Sequence, residues 1–246
     1  MENKKKTIII IFTVIVAAVA VLALLFYYQQ QGLIKIFPTT QELEFNRQVK
    51  EALIIDQEKF KMADGVDQVM LQNKIDELIA QKDVVLSDTH NAVTWYKFAQ
   101  MKEFLNDHQG AAQAWEISYN LKPNDFRTSS NLGNIYQYFI KDFEKAEFYY
   151  LKSLEVKIDM ASAYHGLMDL YQFNMPEKSE KFEPLVLRAV ANDSLNAAAY
   201  YVNLVDFFLS SKYYNLNKAQ EYFSKTRDLD PERAALVIQN YPELNN

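Results

Sequence analysis

From Thr7 to Tyr28 the chain reads TIIIIFTVIVAAVAVLALLFYY, without one charged residue. A run this long and apolar cannot lie in water. At about 1.5 Å per residue its roughly 22 residues span about 33 Å, against a bilayer hydrocarbon core of about 30 Å. Tyr27 and Tyr28 stand where an interfacial aromatic belt would lie. Lys4, Lys5 and Lys6 precede the run and place residues 1–6 in the cytoplasm as a basic tail, with the rest of the chain sent across. Lys35 is a weaker, contrary charge. A cleavable signal peptide is the alternative, because the three lysines resemble its basic region. The apolar run exceeds the usual length of about 7–15 residues, however, and no small-x-small site follows it before Tyr27-Tyr28-Gln29. Ala18-Val19-Ala20 has the right letters but lies inside the run. Residues 7–28 are therefore read as an uncleaved transmembrane anchor.

Beyond the anchor the composition points to long helices. Five Gly and six Pro in 246 residues are too few for a many-stranded β protein, and 49% hydrophobic residues exclude global disorder. The absence of Cys excludes disulfides, thiolate metal sites and cysteine nucleophiles. His90, His108 and His165 lie far apart without metal-ligand spacing and are read as solvated or core-edge residues. The formal charge is −6; without Glu2 and the three tail lysines, 23 basic residues face 31 acidic ones, or −8. So acidic a domain repels phosphate backbones, and no nucleic-acid partner is expected.

The second half repeats at a period near 34 residues. One segment closes on Leu121-Lys122-Pro123-Asn124-Asp125 and the last on Leu229-Asp230-Pro231-Glu232, each turn following one helical pattern and preceding another. In the first unit Trp95, Phe98 and Ala99 are followed by Ala111, Trp115 and Pro123. The second (about 126–160) has Leu132-Gly133, Tyr136, Ala146 and Tyr150, with one extra residue in its inner turn and Ile158 at the closing proline. The third (about 161–196) has Tyr164, Leu167, Met168, Tyr171 and Ala189, its inner turn Asn174-Met175-Pro176-Glu177 about two residues long in excess. The fourth (about 197–231) has Tyr201, Leu204, Phe208, Ala219, Phe223 and Pro231. This series resembles the tetratricopeptide repeat (TPR) family, whose units read W-x2-L-G-x2-Y, A-x3-F and P.

The expected fold is all-α: an N-terminal transmembrane helix followed by an α-solenoid of TPR-like helix-turn-helix repeats. Small residues such as Gly133 and Ala146 let paired helices approach, aromatics fill the gap to the next unit, and stacking supplies a core that one unit lacks. Residues 29–40 read as a linker. Residues 41–91 read as N-terminal helices or a degenerate repeat, with helices over about 41–61 and 67–87 and a turn at Asp64-Gly65. Residues 92–231 hold four repeats, and 232–246 supply a capping helix broken near Pro242.

No phosphate-binding glycine loop and no HExxH, GxSxG or CxxC motif occurs, so neither catalysis nor a cofactor is expected. Asn192-Asp193-Ser194 fits a glycosylation acceptor and equally an inter-repeat turn. The family resemblance implies a protein or peptide partner held on the concave face by the second, fifth, sixth, ninth and twelfth residues of each repeat. Those positions give Tyr96, Lys97, Gln100 and Glu103, then Arg127, Asn131, Asn134 and Gln137, then His165, Asp169 and Gln172, and finally Asn203 and Asp206. Amides suit the task because each offers a donor and an acceptor to a peptide backbone. The family's carboxylate clamp is not reproduced: Tyr96 stands where it needs a lysine. Glu147, on a second helix, is expected on the outer surface. The functional expectation is a membrane-tethered interaction scaffold or adaptor with its repeats outside the cytoplasm. The alternatives are a self-associating structural component, or homo-oligomer, and an accessory subunit of a membrane enzyme.

Overall fold

The computed structural model describes residues 2–32, 38–57, 60, 67–210 and 212–245. Lys35 and the Asp64-Gly65 turn lie outside them. The chain forms two compact units, residues 1–50 and 51–246. In the first, α1 (Glu2–Gln30) carries the apolar run. Its stretch Ile11–Gln30 has a mean hydropathy of 2.6 and none of it is buried, so by length and composition it can cross a membrane. A capping box starts α2 (Thr40–Ala52): the Thr39 hydroxyl accepts from the Glu42 amide at 3.2 Å, and the Glu42 carboxylate accepts from the Thr39 amide at 2.9 Å. The helix stops at Ala52, well short of the expected 61. Ile54, two residues on, is non-helical, and its carbonyl accepts instead from the Lys102 ammonium at 2.7 Å.

The second unit is a series of antiparallel helix pairs. After α3 (Gln68–Ser87) come α4 (Ala92–Phe104) with α5 (His108–Leu121), and α6 (Phe126–Ile135) with α7 (Phe143–Val156). Then follow α8 (Ala161–Asp169) with α9 (Phe182–Asn192), α10 (Ala197–Leu209) with α11 (Leu216–Leu229), and the capping α12 (Pro231–Asn240). Most starts are written locally: Asp67, Asn91, Asp107, Asp125, Asp142, Asn215 and Asp230 each cap a helix with a side-chain oxygen. The excess residues of the second and third inner turns widen the first helix at its end. Tyr136–Ile140 and Leu170–Asn174 are π-helical, the former closed by Lys141 at φ 67°, and a 3₁₀ turn over Pro176–Lys181 follows the latter.

The core runs between the helix pairs, through Trp95, Trp115, Tyr150, Tyr164 and Tyr200, all almost fully buried. Ala111, Ala146 and Ala219 are wholly inaccessible, as small residues at helix crossings must be. Each junction from the first repeat onward also carries an ion pair: Lys145 with Glu116 at 3.1 Å, Lys181 with Glu147 at 2.9 Å and Lys218 with Glu183 at 2.5 Å. Each lysine stands one residue before a buried core position, Ala146, Phe182 or Ala219, and reaches back to the preceding repeat. Glu147 is thus not on the outer surface. It is 8% exposed and accepts from Tyr171 at 2.8 Å as well as from Lys178 and Lys181.

Candidate functional site: the face of the first helices

The residues expected in the groove all come from first helices or their π-helical ends. Lys97, Gln100, Arg127, Asn134 and His165 are exposed, and Tyr96, Glu103, Asn131, Asp169, Gln172, Asn203 and Asp206 are half-buried. Gln137 departs from the expectation. It is 1% exposed, its Oε1 accepts from the Tyr150 hydroxyl at 3.0 Å, and its Nε2 donates to Asn174 at 3.1 Å. Both ends of this amide are engaged inside the fold and the side chain is buried, so Gln137 does not face the groove.

Tyr96 organises the face where α4 meets α6. The Arg127 guanidinium sits 5.6 Å from the centre of its ring, and the Asn131 amide donates to its hydroxyl at 3.3 Å. Arg127 is itself fixed by Asp125, through Nη2–Oδ2 at 3.0 Å and Nε–Oδ1 at 3.2 Å. Burial pulls the Asp125 carboxyl upward, but the bonds from Arg127 hold it below the usual range. Farther along, the Tyr138 hydroxyl donates to Asp169 at 2.5 Å, and His165 leans on the Tyr200 ring at 5.7 Å between centres. Burial raises the carboxyls of Glu103 and Asp206, the latter eased by a hydrogen bond from Tyr241.

Two clefts open on α4. One, of about 150 Å³, is walled by Tyr96, Lys97, Gln100, Ser118, Lys122 and Arg127, among others. The other, of about 340 Å³, is walled by Lys74, Glu77, Lys97, Gln100, Met101 and Phe104. Lys97 and Gln100 belong to both. The repeat pattern did not single out Lys122, which lies in a turn, or Lys74, Met101 and Phe104, which lie off its concave-face positions. The one available signal is that Phe104, a large apolar residue, ends α4, and in the fold it stays 51% exposed. A third cleft of about 490 Å³ lies at the inter-repeat turns, between Leu195, Ala198, Leu229 and Pro231, and includes none of the expected residues. At the possible glycosylation acceptor, the Asn192 side-chain nitrogen donates to the Arg188 carbonyl at 2.8 Å and to the Tyr164 hydroxyl at 3.3 Å.

Neither family models nor curated proteins give a match to the sequence. Solved structures do. The chain is similar to the crystal structure of MamA, with a TM-score of 0.55 at 15% identity over 71% of this chain and 99% of that one. The MamA RS-1 ArsTM double mutant gives 0.54 at 21% identity over 68% and 91%. The C-terminal part of a TPR repeat-containing protein from Cytophaga hutchinsonii gives 0.53 at 20% identity over 68% of each chain. What is shared at these identities is the helix-pair architecture, and the chain accordingly has the fold of the tetratricopeptide-repeat proteins.

Proposed function

We propose that the chain is a membrane-tethered scaffold that holds a protein or peptide partner on the face formed by α4, α6, α8 and α10. Residues 7–28 anchor it, 29–40 tether it, 41–91 precede the array, 92–231 form the binding repeats and 232–246 cap them. The observation that carries this is the Tyr96–Arg127–Asn131 cluster beside two clefts, an exposed guanidinium and two half-buried polar side chains already held in place on rigid helices. Such groups suit binding rather than the making of bonds. Support for the tether comes from the unburied apolar helix, and Lys4, Lys5 and Lys6 favour a cytoplasmic N-terminus with the repeats on the other side. The test is a photo-crosslinker placed at Asn134 or, separately, at Phe148 on α7, in native membranes. A partner captured from Asn134 and not from Phe148 is the expected result; the reverse overturns the assignment.

A second reading, self-association, is favoured by Leu195, which is 97% exposed beside the cleft of about 490 Å³. The particle mass of the full chain in detergent decides it: twice the monomer mass supports it, and a Leu195→Asp change should then restore the monomer.

A further inference from the structure

The first helices of three successive repeats end on an exposed aromatic. Phe104 is the thirteenth residue of its repeat, Tyr138 and Phe139 are the thirteenth and fourteenth of the next, and Phe173 is the thirteenth of the third. Phe139 is 47% exposed and Phe173 67%, and Tyr214, in the inner turn of the fourth repeat, is 59% exposed. A ring left half in water forgoes much of what burial would return. The inner turns that carry these rings stand side by side. Phe139 stacks on His108, just past the first inner turn, at 3.8 Å between ring centres. Gln137 reaches Asn174 of the third repeat at 3.1 Å, and Phe207 stacks on Phe182 at 4.2 Å and on Tyr213 at 4.4 Å. The exposed rings therefore follow one edge of the array. The exposed charges along it, Lys141 and Lys212 against Glu144, Glu177 and Glu180, leave it close to neutral, and Lys178 and Lys181 are bound to Glu147. The opposite edge, built of the inter-repeat turns, holds Asp88, Asp125, Asp159, Asp193 and Asp230, one in each turn. Its exposed apolar groups, Leu195 and Leu229, are aliphatic.

We propose that the aromatic edge lies on the surface of a lipid bilayer, with Phe139, Phe173 and Tyr214 seated among the headgroups and Lys141 and Lys212 reaching up to the phosphates. Aromatic side chains settle in that interfacial layer, and lysine stems lie along it with their charge in water. Charge decides which edge approaches. An acidic domain is repelled by the anionic lipids of a membrane, and the nearly neutral edge meets that repulsion least. The tether over residues 29–40 spans at most about 40 Å, so the bilayer is the apolar phase always within reach. A few shallow insertions, too weak to recruit a free protein, suffice for a domain already held at the membrane, because the second attachment is intramolecular. The inference rests on the reading of residues 7–28 as a membrane anchor and adds a second, peripheral contact to it.

The test uses the full chain in phosphatidylcholine nanodiscs. The chain has no Cys, so each of Phe173→Cys, Lys212→Cys and Leu195→Cys carries a single environment-sensitive fluorophore. A nitroxide on the lipid headgroups should quench the labels at positions 173 and 212 and leave the label at 195 bright. In the chain labelled at 212, Phe173→Ser with Tyr214→Ser should bring quenching down to the level seen at 195. Helicity should be unchanged, because both rings are exposed. Added salt should leave the quenching in place, since inserted rings rather than charges hold the edge down. Quenching at 195 instead of 173, release by salt, or a label at 173 untouched by lipid in a chain seated in the disc overturns this proposal and leaves the anchor standing. The last result is also the one that a protein covering this edge would give. A chain that does not enter the disc overturns the anchor and the proposal together.

Discussion

The ring of Tyr150 occupies the space that a side chain on Gly133 would need: a Cβ built there would lie 2.5 Å from the ring. Gly166, on the next repeat, meets the same ring from its own side, and the Tyr150 hydroxyl donates to Gln137 at 3.0 Å. One aromatic side chain thus joins two repeats through two glycines. Leucine at Gly133 would have to displace a ring that is 1% exposed and hydrogen-bonded. Overpacking of this kind costs about 1–3 kcal/mol, so Gly133→Leu should lower the thermal unfolding midpoint. Trimming the ring in the same chain, Gly133→Leu with Tyr150→Ala, should lose less than the sum of the two single changes. Strict additivity measured by denaturant unfolding would show that the two positions do not share a space.

Glu147 gives a pH dependence. Burial alone would raise its carboxyl, but hydrogen bonds from Lys178, Lys181 and Tyr171 prevail and hold it down to about 2. Because the folded value lies below the unfolded one, its contribution to stability is complete above about pH 4.3 and is lost as the pH falls toward 2. The unfolding midpoint of wild type should drop between about pH 5 and 2.5 more steeply than that of Glu147→Gln. Parallel curves would remove Glu147 from the account of acid sensitivity.

Gln137 is part of the scaffold rather than the binding surface. Gln137→Ala leaves the Tyr150 hydroxyl without its partner, a loss of about 1–3 kcal/mol for a buried polar group. Chemical denaturation should report it, whereas Gln100→Ala, on an exposed site, should leave stability unchanged.

A chain lacking residues 1–30 should be soluble and helical, since the apolar stretch is what cannot sit in water. A strand-type circular dichroism spectrum, or persistent insolubility, would contradict both the tether and the solenoid.

The helix pairs were legible from the sequence through closing turns such as Lys122-Pro123-Asn124-Asp125, the period near 34 residues, and small residues such as Gly133 and Ala146 spaced against aromatics. The expected helix over 41–61 was too long: α2 ends at Ala52, and just beyond it the Ile54 carbonyl accepts from Lys102, a residue far along the chain. Gln137 and Glu147 were misplaced for a related reason. The repeat pattern assumes a regular first helix, but the π-helical turn at Tyr136–Ile140 adds a residue and rotates the following side chains by about 100°. Lys178, which helps to bury Glu147, belongs to the extra turn of the third repeat, for which the pattern has no place. Cleft-lining residues in turns, such as Lys122, stay invisible until the helices are set side by side.

The most direct measurement is the affinity of the partner captured by crosslinking from Asn134, titrated by calorimetry against wild type and Asn131→Ala with Asn134→Ala. Each lost hydrogen bond is worth about 0.5–1.5 kcal/mol, so the double change should weaken binding about five- to a hundredfold. Glu155→Ala, on the exposed side of α7, is the control and should bind as wild type does. Equal affinity of the folded double variant and wild type would contradict the assignment of the first-helix face as the binding surface.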